Sequence, residues 1–389
     1  MPVGEMRRIA LLMGQHVSFC RDVIRGVRAY AINKKEWVFH NGPPEREIIR
    51  PLRQWQPDGI IAHLSTWEIA RSVLRLGKPL VDIACALPDL EVPTVDVDHV
   101  LVGRLAAEHF LERGYRHFGF FGSSWARYSK LREESFRQRL AEADRTVSSC
   151  YADYLPHLLA LTSWRAVDRR VQRWLSRLPK PAAIFTSNDP PARDLADLCS
   201  HLGLRVPEDV ALLGVDNDEL ECRLTSPPLS SISVPAEQVG HEAARLLDRL
   251  MSGGPVPDQP LFLSPIRVVT RQSTDTLAVA DPVLAVALRF IRQHAAEDLD
   301  VAMVADLVGL SRRSLECKFR SLLHRTVLHE IRRVRLETAK DLLLETNLTM
   351  PAIARRSGFA NAQRFAVVFR QMAGVSPTAY RRQWHTSKG

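Results

Sequence analysis

The chain is poor in the patterns that carry covalent, metal or membrane chemistry. Its six cysteines (Cys20, Cys85, Cys150, Cys199, Cys222 and Cys317) are scattered, with no C-x-x-C pair and no histidine at ligand spacing. Such spacing speaks against a disulfide framework and a structural zinc site, and fits buried thiols in a reducing compartment. Long apolar runs are missing as well. Met1–Gln15 holds two arginines but an apolar run of only about six residues from Ile9, too short for the core of a signal peptide. Nothing approaches the roughly 18–20 apolar residues of a membrane span. A soluble cytoplasmic protein with no membrane partner is expected. No G-x-S-x-G, H-E-x-x-H, P-loop or strand-following G-x-G-x-x-G occurs, and His63, His109, His117 and His241 stand alone on apolar or helical segments. No catalytic residue, metal or cofactor is expected.

What the chain does have is an uneven charge. Its 389 residues suit two or three domains of about 100–200 residues each. Hydrophobic residues at 46% and charged residues at 25% are ordinary globular values. Lys+Arg 53 against Asp+Glu 44 gives +9, yet Asp281–Gly389 alone holds 18 basic and 10 acidic residues, a net +8. The first 280 residues are left with +1. A near-neutral body joined to a small basic part points to a module for polyanions.

Along the first 270 residues, short apolar runs alternate with helical periods. Arg8–Met13, Asp58–Ala62, Pro79–Ile83, Pro93–Val97, His117–Phe121, Ala182–Thr186, Val210–Val215 and Ile266–Thr270 read as strands. Arg21–Ala31, Val102–Arg113, Ala192–Leu202 and Ala236–Met251 read as helices. Alternation of this kind implies βαβ crossovers and parallel sheets buried on both faces, here as two Rossmann-like α/β lobes. After the polar stretch Arg271–Asp275, the Asp281–Pro282 pair reads as a helix cap. All that follows is helical in period.

This all-α tail repeats itself. Val304–Leu310 aligns with Ile353–Phe359, and each copy continues through a polar turn into a second helix. The two units, about 301–322 and 349–373, have the order helix, glycine-containing turn, helix. Thr326–Glu345 between them is one helix of about 20 residues, or about 30 Å. In the first unit Ser311 caps, Leu315, Phe319 and Leu322 form the buried face, and Arg313, Glu316, Cys317 and Arg320 lie opposite. In the second, Asn361 caps, Phe365, Phe369 and Met372 point inward, and Gln363, Arg364 and Val367 point out. One such unit could be an ordinary solvated bundle; two in a domain of net +8 favour DNA.

The tail resembles the AraC/XylS family of transcription regulators. The matching residues are Ala305, Gly309, Leu310, Ser311, Leu315, Phe319 and Arg320, then Ile353, Ala354, Gly358, Phe359, Phe365, Phe369, Arg370, Gly374, Val375, Ser376, Pro377, Tyr380 and Arg381. The resemblance implies that both second helices enter successive major-groove segments. It assigns base reading to Arg313, Glu316 and Cys317 and to Gln363, Arg364 and Val367, with Arg312 and Arg320 also at the DNA. The cluster Arg332, Arg333 and Arg335 on the connecting helix is expected either at phosphates or on a solvated basic face.

The body is similar to the effector domain of LacI/GalR-type repressors, itself similar to periplasmic sugar-binding proteins. Asp98, Gly103, Ala107–His109, Gly114 and Phe118–Gly122 carry one signature. Phe185–Asp189, Pro207–Val210, Leu213–Asn217 and Pro228–Ile232 carry others. A sensor at 7–274, a linker at 275–281 and a DNA-binding domain at 282–387 follow. This order of parts resembles the family of xylose operon regulators. It implies a small sugar effector, D-xylose or a related monosaccharide, bound between two lobes. Polyols need side chains that make two hydrogen bonds at once and an aromatic face. The resemblance places Asp98, Arg132, Asn188, Asp189 and Asp216 at the sugar, with Phe19 stacking. Promoter or operator DNA, a homodimer and, for an activator, RNA polymerase are the partners implied. A sugar-binding protein or an enzyme of carbohydrate metabolism would leave the basic tail to another partner.

Overall fold

The structure, a computed structural model, describes residues 6–32, 34, 36–152, 164–275, 281–323 and 325–385. The chain divides into two compact units, Met1–Thr276 and Leu277–Gly389. Most of the expected linker at 275–281, and the end of the tail from 386, lie outside the described residues.

The first unit opens with β1 (Arg7–Leu12), α1 (Ser18–Ala31), β2 (Trp37–Gly42), α2 (Arg46–Trp55), β3 (Gly59–Ala62), α3 (Trp67–Leu74), β4 (Leu80–Asp82) and β5 (Val95–Val97). It continues with α4 (His99–Leu111), β6 (His117–Gly122), α5 (Arg127–Ala141), β7 (Val147–Tyr151), α6 (Trp164–Arg177), β8 (Ala182–Thr186), α7 (Asp189–His201) and β9 (Val210–Val215). Then come α8 (Glu219–Leu224), β10 (Ser230–Ser233), α9 (Ala236–Met251), β11 (Leu261–Leu263), β12 (Arg267–Val269) and a 3-10 turn, Gln272–Thr274.

Two lobes result. One holds a four-stranded parallel sheet in the order β2-β1-β3-β4; the other holds six strands in the order β12-β10-β9-β8-β6-β7. The strands β3, β8 and β9 are buried along their whole length, as continuous apolar runs under helices on both faces require. The chain passes between lobes after β5, after β10 (α9 packs along α1) and again from β11, which pairs with β5, to β12. Against the expectation of purely parallel sheets, β12 runs antiparallel to β10. The cause is its entry. A parallel neighbour needs a long crossover, whereas β12 arrives directly from the other lobe at the end where β10 leaves, pairing Arg267 with Ser233.

The second unit is α10 (Pro282–His294), α11 (Val301–Leu307), α12 (Arg312–Leu323), α13 (Val327–Glu345), α14 (Met350–Arg356), α15 (Ala362–Ala373) and α16 (Pro377–His385). Side-chain caps start most of these helices: Asp281 accepts from the Leu284 N–H at 3.0 Å, Asp300 from Met303 at 2.9 Å, Thr326 from His329 at 3.1 Å and Asn361 from Arg364 at 2.8 Å. Gly309 and Gly358 close α11 and α14 with φ of 65° and 79°, a conformation that other residues adopt at a cost.

The unit has two cores, and α13 serves both. Its first half gives Val327, Ile331 and Val334 to the core of α10–α12. Its second half gives Leu336, Ala339 and Leu343 to the core of α14–α16. At 3.6 residues per turn the two apolar stripes lie about 150° apart around the helix. Within the first core, Leu323 rather than Leu322 follows Leu315 and Phe319; Leu322 is 49% exposed. The buried positions step by four and four, not by four and three. In the second core Phe365 and Phe369 are buried as expected, Val368 joins them, and Met372 is partly buried.

Candidate effector cleft and nucleic-acid interface

A cleft of about 570 Å³ opens between the lobes of the first unit, within the range of small-molecule sites. It lies at the carboxyl ends of β1, β3, β4, β8 and β9, where the strand ends and following loops leave side chains free to converge. One wall brings His16–Phe19, Glu45 and His63; the other brings Tyr128, Arg132, Asn188, Asp189 and Asp216. Of the residues expected from the sequence, Phe19, Arg132, Asn188, Asp189 and Asp216 line the cleft and Asp98 does not.

Asp98 is a helix cap: its carboxylate accepts the Leu101 N–H at 2.9 Å and starts α4. Asp96 and His99, two and one positions away, reach the cleft instead. They are buried and joined, Asp96 Oδ2 lying 3.0 Å from His99 Nε2. Burial lowers the His99 pKa, against the opposing pull of the nearby Asp96.

Asn188 precedes α7, and its side-chain N–H donates to Asp216 Oδ2 at 2.8 Å. Burial pushes the Asp216 carboxyl up to about 6, against the pull of Arg132 and of the Asn188 hydrogen bond. Arg132, on α5, is 3% exposed; it donates to the Ser187 carbonyl and lies over the Tyr128 ring, 5.2 Å from its centroid. No ion pair joins Arg132 to Asp216 among the described residues. Asp189 behaves differently. Its carboxylate takes the Ser231 hydroxyl at 2.6 Å and the Asp218 N–H at 2.8 Å, and burial raises its pKa well above the carboxylate range. Gly214 makes room for it: a Cβ there would sit 2.1 Å from Asp189 Oδ1. Asp189 is thus built into the cleft floor. At the mouth, Arg21 of α1 reaches Asp218 across 3.4 Å.

In the second unit the side chains expected at DNA are largely free of the cores. Arg312, Arg313, Cys317 and Arg320 on α12 are exposed and Glu316 is half-buried; Gln363, Arg364 and Val367 on α15 are exposed. On the connecting helix, two of the three arginines have partners within the unit. Arg333 donates to Glu330 at 2.8 Å, and Arg335 donates to the carbonyls of Ala295 and Glu297 at 2.6 and 2.9 Å. Both guanidiniums thus have partners inside the unit, and Arg332 beside them is half-buried. Arg355 and Arg356, to which the sequence assigned no role, are exposed, as is Arg370.

Comparison with known proteins agrees with this division. A periplasmic binding protein-like domain matches residues 107–274 and a helix-turn-helix domain matches residues 304–383. The xylose operon regulatory protein of Escherichia coli K12 is 32% identical over 386 residues, 97% of each chain. That of Haemophilus influenzae is 26% identical over 390 residues, 96% of this chain and 98% of its own. The solved structure of a xylose-binding transcription activator matches with a TM-score of 0.71 and 30% identity, covering 97% of this chain and 98% of its own. A LacI-type regulator from Alkaliphilus metalliredigens, in complex with D-xylulofuranose, shares the fold over 69% of this chain at 20% identity and a TM-score of 0.56. No described helix is long and apolar enough to cross a membrane. With near-complete coverage by the Escherichia coli relative and both domain types in the same order, this chain belongs to the family of xylose operon regulatory proteins, DNA-binding transcription regulators with a periplasmic-binding-protein-like sensor and an AraC-type double helix-turn-helix unit.

Proposed function

We propose that D-xylose or a closely related monosaccharide, held between the lobes of the sensor, controls the binding of this regulator to its operator. The observation that carries the reading is the pairing of buried Arg132 with the Asn188–Asp216 bond on one wall of the cleft, opposite charges left unjoined to each other. A guanidinium fork donates to adjacent sugar oxygens while a fixed carboxylate accepts from adjacent hydroxyls. Phe19, half-buried at the start of α1, supplies the apolar face. Asp96 and His99 extend the polar wall, and Asp189 holds the floor.

In this reading residues 7–274 sense and residues 282–387 bind DNA. Arg313, Glu316 and Cys317 on α12 and Gln363, Arg364 and Val367 on α15 face bases, while Arg312, Arg320, Arg355 and Arg356 hold phosphates. The regulator acts in the cytoplasm as a homodimer on paired half-sites, touches RNA polymerase where it activates, and binds without catalysing. Thermal shift of the full chain against pentoses and hexoses tests the sensor, because a ligand at 100 times its Kd adds about 2.7 kcal/mol. A panel in which no aldopentose raises Tm would refute the effector assignment. Sedimentation with and without operator DNA tests the dimer.

A further inference from the structure

Two consecutive non-glycine residues at the end of β9, Asp216 (φ 102°) and Asn217 (φ 53°), occupy the left-handed region, the only such consecutive pair among the described residues. Backbone of this kind is uncommon and persists where neighbours hold it. Asp216 faces the cleft. Asn217 is held from behind: its N–H donates to the Ser231 hydroxyl oxygen at 2.9 Å, and its side-chain carbonyl accepts from Arg271 at 2.8 Å.

Arg271 belongs to the segment by which the sensor ends. Its guanidinium also donates to the Leu229 carbonyl at 3.0 Å, and its backbone N–H and carbonyl both bond the Ser230 hydroxyl, at 2.8 and 2.9 Å. Ser230 in turn accepts the Thr274 hydroxyl at 2.7 Å, and Thr274 accepts the buried His109 ring at 2.8 Å. Ser230 and Ser231 are both fully buried, an expensive choice in a central strand unless each hydroxyl is used. Each is used, and on opposite faces, because successive strand residues alternate. Ser231 serves the cleft floor through Asp189 and Asn217, and Ser230 serves the exit turn Gln272–Thr274. The covalent path to the second unit leaves from this turn.

We propose that Asn217 and Arg271 are positioning residues that couple occupancy of the cleft at Asp216 to the exit turn of the sensor, and so to DNA affinity. The inference rests on the assignment of the cleft as the effector site. A sugar hydroxyl bonded to Asp216 biases the adjoining left-handed turn; the Asn217–Arg271 bond carries that bias past β10 to the exit turn. The coupling is read as the ratio of DNA affinities with and without sugar.

The test uses the full chain, D-xylose, and an operator selected by the wild-type protein from random DNA. Calorimetry gives sugar affinity; fluorescence anisotropy gives DNA affinity with and without saturating sugar. Asn217→Gly accepts the backbone and loses the acceptor, while Asn217→Asp tolerates the backbone and keeps it. N217G is expected to bind sugar and sugar-free operator within threefold of wild type, while the ratio of DNA affinities with and without sugar falls at least fivefold toward one. N217D is expected to restore that ratio. Arg271→Met, which keeps the apolar stem, gives the same test from the other side of the bond should N217G fail to fold. An unchanged ratio in N217G or R271M overturns the coupling, as does a loss of sugar binding itself, which would make the pair part of the cleft. A wild-type chain that binds no D-xylose overturns the effector assignment and this inference with it, and calorimetry alone distinguishes that outcome.

Discussion

The side-chain amide of Asn188 donates to Asp216 Oδ2 at 2.8 Å, so the carboxylate that faces the cleft is oriented before any ligand arrives. An acceptor fixed in advance loses little entropy on binding. Removing it should therefore cost affinity directly. Asp216→Ala leaves a sugar hydroxyl unpaired in a closed cleft, worth about 1–3 kcal/mol. Calorimetry should show at least a tenfold loss of sugar affinity, with sugar-free DNA binding intact; unchanged affinity would move the site.

The same carboxylate carries a stability cost whose sign follows from its pKa. Folded, Asp216 titrates near 6, above its ordinary 3.8. Its contribution to stability is thus full below the unfolded value and is lost as pH rises through about 6. Asp216→Asn should stabilise the sugar-free protein above pH 6 by on the order of 1–3 kcal/mol and give no gain below pH 4. Thermal melts of both proteins across that range check it, and equal Tm differences at both ends would contradict it.

Arg132 lies over the Tyr128 ring and donates to the Ser187 carbonyl. Arg132→Ala should abolish the fork toward the sugar and lower sugar affinity at least tenfold. Arg132→Lys should recover only part of it, since a point charge lacks the planar pair of donors. Full recovery by lysine would mean that charge alone is used.

On the DNA side, reading and holding should separate. Arg313→Ala or Arg364→Ala removes a guanidinium able to fork onto guanine for about 1–3 kcal/mol of discrimination, so preference at particular operator bases should relax. Arg355→Ala should weaken all sequences alike and lower the salt slope by about one. A randomised-site selection in which R364A keeps wild-type base preferences would refute the assignment for α15.

Glu330 is 3% exposed at the start of α13, with Arg325 at 2.7 Å and Arg333 at 2.8 Å. Burial opposes its ionisation, but the flanking arginines prevail and hold its pKa below the ordinary value of 4.5. That stability is present above the unfolded pKa and disappears as pH falls through the folded one. Glu330→Gln should destabilise the DNA-binding unit at pH 7 by about 1–3 kcal/mol, read as a lower Tm, and the gap to wild type should close in acid. Arg333→Ala should likewise act on stability, leaving the salt slope of DNA binding unchanged.

Much of this was legible because a buried strand or an amphipathic helix is written into local periodicity. Ala182–Thr186, Val210–Val215 and Ala236–Met251 run as expected, residue for residue. Elements without that signature escaped. The edge strand β2 (Trp37–Gly42) exposes half of its residues, α2 carries Pro51 within its turns, and α5 turns Ser129, Arg132, Glu133 and Ser135 inward, leaving no clean apolar stripe. The cleft was legible where a motif fixed both residue and strand end, as at Asn188 and Asp216. Asp96 and Asp98 lie two positions apart, and only the cap geometry of α4 decides which one turns to the cleft. The arginines of α13 looked alike in sequence; Arg333 pairs with Glu330 one turn back on the same helix, whereas Arg335 finds the carbonyls of Ala295 and Glu297, far along the chain.

The two apolar stripes of α13 also constrain how this regulator can change over evolutionary time. Each stripe anchors one helix-turn-helix core, so the helix is at once a spacer and a phase-setter between the two cores. Adding one residue between Val334 and Leu336 lengthens the spacer by about 1.5 Å but turns the second core by about 100°. If α12 and α15 read the operator as proposed, sites whose two segments drift by a base pair cannot be followed by single insertions in the protein. Retuning would then come through the exposed residues of α12 and α15, with the distance between the two helix pairs inherited unchanged.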